Sequence, residues 1–263
     1  MTKNIALPKM ARYFYPENTE KLNNTLKEFI SDTPTVNKKP LALIVPHAGY
    51  IFSGEIAGKA YSILNGYKDE FDTVVIIGPS HKVLLRKPAV LNMDYALPTG
   101  ILKKDEILID ELLKDNLVDI DNDAHNGEHS IEVQLPFLHY INPNFKIVNI
   151  LSGAYELDDV VKLIDALFKI PRVHIVISSD LSHFNSYDIA KQVDKETIKN
   201  VLELNDEAIK SDDACGAVGI KALIKIARKY FLKPKVLGYC NSGDKTADKQ
   251  KVVGYASFGF FNS

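Results

Sequence analysis

The amino-acid sequence predicts an α/β fold: one domain over residues 1–263, built as a sandwich in which helices flank a central mixed, mostly parallel sheet. Short β-branched apolar runs alternate along the chain with longer amphipathic stretches, as in repeated strand-helix units. Most of these runs are apolar throughout, which is typical of strands that are covered on both faces. No Gly/Ser-rich or Pro-rich linker and no internal repeat divides the chain.

The predicted strands are apolar runs bounded by Gly, Pro or Asn, and they cover Leu41–Val45, Thr73–Ile77, Lys146–Leu151, Val173–Ser178, Lys235–Tyr239 and Val252–Phe260. The last run partly alternates between apolar and polar residues, which favours an antiparallel strand. The predicted helices lie between these runs and cover Thr19–Ile30, Ser53–Leu64, Asp105–Lys114, Leu157–Phe168, Ile189–Leu204 and Gly216–Phe231. The final helix is the clearest, because its apolar side chains share one face and its basic side chains the opposite face.

The composition excludes several classes of protein. The chain has 32 Lys+Arg against 34 Asp+Glu, a net charge of −2, with no basic patch suited to nucleic acid or an anionic membrane. Two cysteines, Cys215 and Cys240, are too few for a disulfide scaffold or a Cys-rich zinc module. No apolar run reaches the roughly 18 residues of a membrane span, and the N-terminus has no signal-peptide core. We therefore expect a cytoplasmic protein without nucleic-acid or membrane partners.

Histidines follow three of the predicted strands. His47, His81 and His183 come just after the runs that end at Val45, Ile77 and Ser178. In open α/β sheets the carboxyl ends of the strands carry the ligand-binding and catalytic groups, so we expect these side chains to share a cleft. Two histidines and one carboxylate form the ligand set of non-haem iron sites, and the same set holds zinc or copper.

Two groups of residues remain open as further members of this cleft. The loop after Lys235–Tyr239 offers Cys240 as a thiolate and Asp244 as a carboxylate if that strand is parallel. Residues 125–129 read His-x-x-Glu-His, a zinc-protease pattern that requires a continuous helix. Asn126-Gly127 is a turn dipeptide, which disfavours that helix and the protease assignment. Glu128, His129 and Glu132 can still reach the cleft from a helix start capped by Ser130.

Six motifs, in order along nearly the whole chain, resemble the Memo family: Ala11–Pro16, Val45–Tyr50, Gly78–His81, Glu128–Glu132, Ser178–His183 and Tyr239–Asp244. That family is similar in fold to class III extradiol dioxygenases, which bind Fe(II) with two His and one Glu beside a catalytic His.

The resemblance implies roles for individual residues. His47 and His81 match the metal-binding positions, and His183 matches the catalytic acid/base. Asp180, three residues before it, is expected to orient its imidazole. The third metal ligand departs from the family pattern, in which animal members have a Cys; this chain offers Asp244 near that position.

Two functions follow from the resemblance and the histidines. The first is a redox or dioxygenase-like enzyme that depends on a divalent metal, whether non-haem iron, copper or zinc. The alternative is a non-enzymatic module that binds a peptide or an anion in the same cleft, since animal members are described as signalling effectors. A small molecule or a peptide is the expected ligand. Prokaryotic relatives imply a pathway link to a radical-SAM protein and an AMMECR-type protein.

Overall fold

A computed structural model describes residues 4–31, 36, 38–153 and 157–263. Its strands are β1 (Ile5–Ala6), β2 (Pro40–Val45), β3 (Thr73–Pro79), β4 (Ala89–Val90), β5 (Asp94–Leu97), β6 (Gly100–Lys104), β7 (Asp119–Ile120), β8 (Lys146–Ser152), β9 (Val173–Ser178), β10 (His183–Asn185), β11 (Lys233–Asn241) and β12 (Val252–Phe261). Its α-helices are α1 (Thr19–Ser31), α2 (Tyr50–Gly66), α3 (Glu106–Lys114), α4 (His129–Glu132), α5 (Leu135–Ile141), α6 (Leu157–Leu167), α7 (Tyr187–Leu202), α8 (Ala217–Lys229) and α9 (Ser242–Lys245). No helix within these ranges is long and apolar enough to cross a membrane.

The centre of the sheet is parallel. Strands β6, β8, β3, β9 and β2 are adjacent in that order, and each pair runs in the same direction. Strand β12 is antiparallel to both β2 and β11, so β11 runs in the same direction as β2. The carboxyl ends of β2, β3, β9 and β11 therefore meet at one edge, where the chain leaves each strand in a loop.

Helices cover both faces of this sheet. Every residue of β3 is buried, because alternate side chains enter two different hydrophobic clusters. One cluster lies under α1, α2 and α5, and the other lies under α3, α6 and α8. This burial on both faces is the physical reason that the strands read as continuous apolar runs. The predicted mixed, mostly parallel sheet flanked by helices is confirmed.

All six predicted strands form, and the β12 strand is antiparallel as expected. The six predicted helices also form, with ends that differ by a few residues; α2 begins at Tyr50 and α8 begins after Gly216. The sequence did not predict β1, β4 to β7 or β10, which have two to five residues each. Such short strands have too few residues for an alternating pattern to be recognised. Whether they form depends on the strands with which they pair.

Candidate metal centre

Three histidines converge at the carboxyl edge of the sheet. His47 follows β2, His81 follows β3, and His129 begins α4. The ring centroids lie 5.4 Å apart for His47 and His81, 5.3 Å for His47 and His129, and 4.6 Å for His81 and His129. One ligand atom from each of the three side chains lies within 4.8 Å of the other two. The fold thus gathers donors from three separate parts of the chain into one group.

His47 is the buried member of the group, with 1% of its surface exposed. Its Nδ1 lies 2.9 Å from Oγ of Ser178, and its Nε2 lies 3.2 Å from Sγ of Cys215. Its backbone N–H donates to Oδ1 of Asp180 at 2.7 Å. Burial lowers the pKa of His47 well below its ordinary value, and the two neighbouring imidazoles lower it further. The side chain is therefore neutral at neutral pH, as a metal ligand must be.

Glu128 holds the other two histidines. Its Oε1 accepts hydrogen bonds from Nδ1 of His81 at 2.9 Å and from Nδ1 of His129 at 3.2 Å. The carboxylate also accepts from the backbone N–H of His81 and caps α4 through the N–H of Ser130. Burial alone raises the pKa of Glu128, but the hydrogen bonds from His129 and His81 outweigh it and hold the pKa well below its usual range. Glu128 stays ionised and directs both Nε2 atoms away from itself. It also takes the N-cap position that was predicted for Ser130.

His183 lies in the same cleft but outside this group of three. Its Nδ1 donates to the backbone carbonyl of Leu181 at 2.8 Å, which leaves a lone pair on Nε2. Asp180 was expected to orient this imidazole, but its Oδ1 accepts instead from the backbone of His47. Burial lowers the pKa of His183, and burial raises the pKa of Asp180 to about 6 against the opposing effect of that hydrogen bond.

The segment that carries His183 is fixed by close packing against β12 and α7. The N–H of Leu181 donates to the carbonyl of Gly254 at 2.8 Å, and Oδ1 of Asp194 accepts from the N–H of Ser182 at 3.0 Å. A Cβ atom at Gly254 would lie 2.1 Å from Oδ2 of Asp194, so a larger residue here would displace this buried carboxylate. These contacts hold the loop against β12 and α7.

The loop after β11 reaches the predicted edge, yet neither of its candidates joins the histidines. Asp244 caps α9: its Oδ2 accepts from the N–H of Asn241 at 2.9 Å, and its Oδ1 accepts from the hydroxyl of Tyr187 at 2.6 Å. The sulfur of Cys240 lies 3.8 Å from the carbonyl oxygen of Phe52, and burial raises the pKa of this thiol to about 11. Among the described residues, the group of three potential ligands contains neither side chain.

Glu132 has a structural role and does not belong to the group of three histidines. Its carboxylate is buried and accepts hydrogen bonds from the hydroxyls of Tyr15 and Tyr95, each at 2.8 Å. It also accepts from the backbone N–H groups of Lys9 and Met10. It therefore anchors the N-terminal segment to the body of the protein.

His125 does not pair with His129 as a zinc-protease motif would require. Its Nε2 donates to the carbonyl of Ala89 at 3.0 Å, and it lies in a turn before α4 begins. The turn predicted at Asn126-Gly127 forms, with Gly127 at a φ of +72°. The side chains of His125 and His129 thus contact different partners, the carbonyl of Ala89 and the carboxylate of Glu128.

Sequence reasoning missed Cys215 and Ser178, which contact His47, and Gln134, which contacts Ser178. Cys215 precedes α8, and Gly216 allows this helix start to approach the end of β9: a Cβ there would lie 2.8 Å from the carbonyl oxygen of Ser178. The sequence shows a buried strand ending in Ser178, but it does not show which side chains this serine contacts. Only the docking of α8 and α4 onto that strand end reveals the contacts.

Comparison with known proteins identifies the family of this chain. A family model described as "Memo-like protein" matches residues 7–259. The chain belongs to the Memo family. This Memo-family protein is 35% identical to a MEMO1 family protein of Methanocaldococcus jannaschii over 96% of its own length and 98% of the relative. It is 33% identical to one of Thermoplasma volcanium, covering 96% and 97% of the two chains, and 34% identical to one of Sulfolobus acidocaldarius, covering 97% and 99%.

A solved structure shares the fold of this Memo-family protein. It is that of an uncharacterised protein from Escherichia coli K12, with a TM-score of 0.51 and 12% sequence identity. The alignment covers 82% of this chain and 98% of the other. At this identity the similarity concerns the fold alone.

Proposed function

We propose that this protein is a metal-dependent enzyme that holds one divalent ion with His47, His81 and His129. The observation that carries the proposal is the convergence of these three imidazoles within 4.8 Å. Metal-bound histidines commonly donate their second ring nitrogen to a carboxylate or another acceptor, which orients the ring. Glu128 provides that contact for two of the three rings.

The donor set fits a divalent transition metal. Imidazole nitrogen is a preferred ligand of zinc, copper and iron, and three histidines with an open fourth position form a catalytic zinc set. Two metal–nitrogen bonds of about 2.1 Å span at most about 4.2 Å, so small side-chain rotations bring nitrogens within 4.8 Å onto one ion. His81 and His129, whose side chains are 30% and 25% exposed, have room for such rotations. His129 replaces Asp244 in the ligand set that we propose.

The remaining cleft residues supply proton transfer and positioning. A bound divalent ion supplies Lewis acidity, or electron transfer if it is iron or copper. The Nε2 lone pair of His183 accepts a proton from a bound substrate, while the Leu181 carbonyl keeps the ring in that tautomer. Asp180 holds the backbone at His47 and so fixes the loop that carries this ligand. With iron or copper bound, the site would support a redox or dioxygenase-like reaction. With zinc bound, it would support a hydrolytic reaction.

A hollow beside His129 suits the non-reacting part of a substrate. Its volume is about 250 Å³, and its lining includes Phe14, whose ring centroid lies 5.0 Å from that of His129. The lining is largely aromatic, contains Arg12 and Lys21, and has no acidic residue. Such a surface favours an apolar, anionic ligand, whether a small molecule or a peptide.

The test is elemental analysis of anaerobically purified protein after separate addition of iron, zinc and copper. We expect one bound ion per chain in the unsubstituted protein, and its loss in the His47→Ala, His81→Ala and His129→Ala variants. His139→Ala is the matched control, because this half-buried histidine contacts Thr99 and lies outside the group. Absence of bound metal under every condition would contradict the proposal and favour a peptide- or anion-binding module.

A further inference from the structure

A buried set of hydrogen bonds lies behind His47. The hydroxyl of Tyr61 donates to Oε1 of Gln134 at 2.9 Å, and Nε2 of Gln134 donates to the carbonyl of Pro46 at 3.0 Å and to Oγ of Ser178 at 2.8 Å. A backbone carbonyl can only accept, so the contact with Pro46 fixes which end of the amide faces the serine. Gln134 and Ser178 are both 0% exposed, so bulk water has no access to these contacts.

The contacts of Ser178 assign the proton of His47. A serine hydroxyl has one proton to donate and two lone pairs that accept. The proton goes to the carbonyl of Ser130, 2.5 Å away, and one lone pair accepts from Gln134. The remaining contact is Nδ1 of His47 at 2.9 Å, so this nitrogen must be the donor. The ring therefore carries its proton on Nδ1 and a lone pair on Nε2.

The opposite side of the ring agrees with this assignment. Sγ of Cys215 lies 3.2 Å from Nε2 of His47 and accepts the backbone N–H of Asp180 at 3.3 Å. Without a metal the thiol donates to the Nε2 lone pair, and with a metal on Nε2 the carbonyl oxygen of Asp180, 3.7 Å from the sulfur, is the alternative acceptor. The reverse tautomer of His47 would take the hydroxyl proton of Ser178 away from the Ser130 carbonyl and leave that buried acceptor without its partner.

We infer that Ser178 and Gln134 are positioning residues that fix the proton of His47 on Nδ1 and thereby present Nε2 as its ligand atom. Neither residue belongs to the group of potential ligands. Their effect on metal affinity rests on the proposed function. The tautomer itself does not, because it is set by contacts within the protein. The same hydrogen bonds also hold the ends of β9 and α4 against each other.

The test is long-range ¹H–¹⁵N NMR of metal-free protein labelled at histidine, in which the two ring nitrogens report which one is protonated. The His47 signals are assigned by their loss in His47→Asn. We expect a single Nδ1–H tautomer at His47. In Ser178→Ala the Nδ1 proton loses its acceptor, so we expect the Nε2–H tautomer to appear and the affinity for zinc, used alone as the probe, to fall about 10- to 100-fold.

Ser152→Ala is the matched control, since Ser152 is a buried serine at the end of β8, and it should change neither readout. An Nε2–H tautomer at His47 in the unsubstituted protein, or an unchanged tautomer in Ser178→Ala, would overturn the inference. The NMR spectrum of the unsubstituted protein tests the expected tautomer even if Ser178→Ala does not fold. The expected tautomer in a protein that binds no metal would support the inference and contradict only the proposed function.

Discussion

Oε1 of Glu128 lies 2.9 Å from Nδ1 of His81, which is 47 residues earlier in the chain. The contact joins the start of α4 to the loop after β3, and the same oxygen accepts from His129 at 3.2 Å. One carboxylate therefore fixes two of the three imidazoles. The orientation of these two rings in the candidate metal centre therefore depends on Glu128.

The variant Glu128→Gln should weaken metal binding and leave the fold intact. The amide keeps the size of the side chain, but it has one accepting oxygen for four N–H donors. We expect the affinity for zinc to fall about 10- to 100-fold, as for other residues that orient metal-bound histidines. The measurement is competitive zinc titration, with exposed Glu111→Gln on α3 as the control. Equal affinities for the two variants would show that the carboxylate does not orient the ligands.

The variant Asp244→Asn should leave metal affinity unchanged. Both carboxylate oxygens of Asp244 are engaged by Tyr187 and Asn241, and the side chain lies outside the group of potential ligands. The same zinc titration compares it with His129→Ala, which we expect to lose binding. A loss in Asp244→Asn as large as that in His129→Ala would restore Asp244 as the third ligand.

The variant Glu132→Ala should destabilise the protein strongly. Its buried carboxylate accepts four hydrogen bonds, and their loss leaves buried donors such as the Tyr15 hydroxyl without partners. Each unpaired buried group costs about 1–3 kcal/mol, so we expect a loss of at least about 3 kcal/mol in the free energy of unfolding. Urea denaturation measures it. A loss as small as that expected for exposed Glu111→Ala, within about 0.5 kcal/mol, would contradict the anchoring role.

His174 should make stability depend on pH. This fully buried residue packs on Phe71, with ring centroids 4.7 Å apart, and burial lowers its pKa to about 3 from the ordinary 6.5. Between pH 6.5 and about 3 the unfolded chain binds the additional proton, so the free energy of unfolding falls as the pH is lowered through this window. The contribution of neutral His174 to the free energy of unfolding is complete above pH 6.5 and decreases by about 1.4 kcal/mol per pH unit below it.

Urea denaturation from pH 7 to pH 4.5 measures this dependence in the unsubstituted protein and in His174→Leu. Other buried groups titrate in both proteins, so the difference between the two slopes isolates His174. We expect the shallower slope in His174→Leu. Parallel slopes would show that the folded protein protonates His174 as readily as the unfolded chain does.

The residues that follow the long strands could be located from the sequence because the strands themselves could be predicted from it. Fully buried strands require continuous apolar runs, and in parallel strands the polar residues that follow share one edge. His47, His81 and His183 were placed in one cleft on this basis. His129 was harder to place, because its helix α4 has only four residues and follows a turn. Its hydrophobic pattern is too short to show which way the side chain points.

The sequence alone determined the order of the long strands and helices along the chain, the covering of both faces of the sheet and the edge at which His47, His81 and His183 lie. These follow from local patterns of apolar residues, which repeat along the chain. The tertiary structure alone decided that His129 joins the group, that Asp244 caps α9 instead, and that Ser178 and Cys215 contact His47. Contacts between residues separated by 40 to 170 positions depend on how helices dock on strand ends, and a local pattern carries no information about that docking.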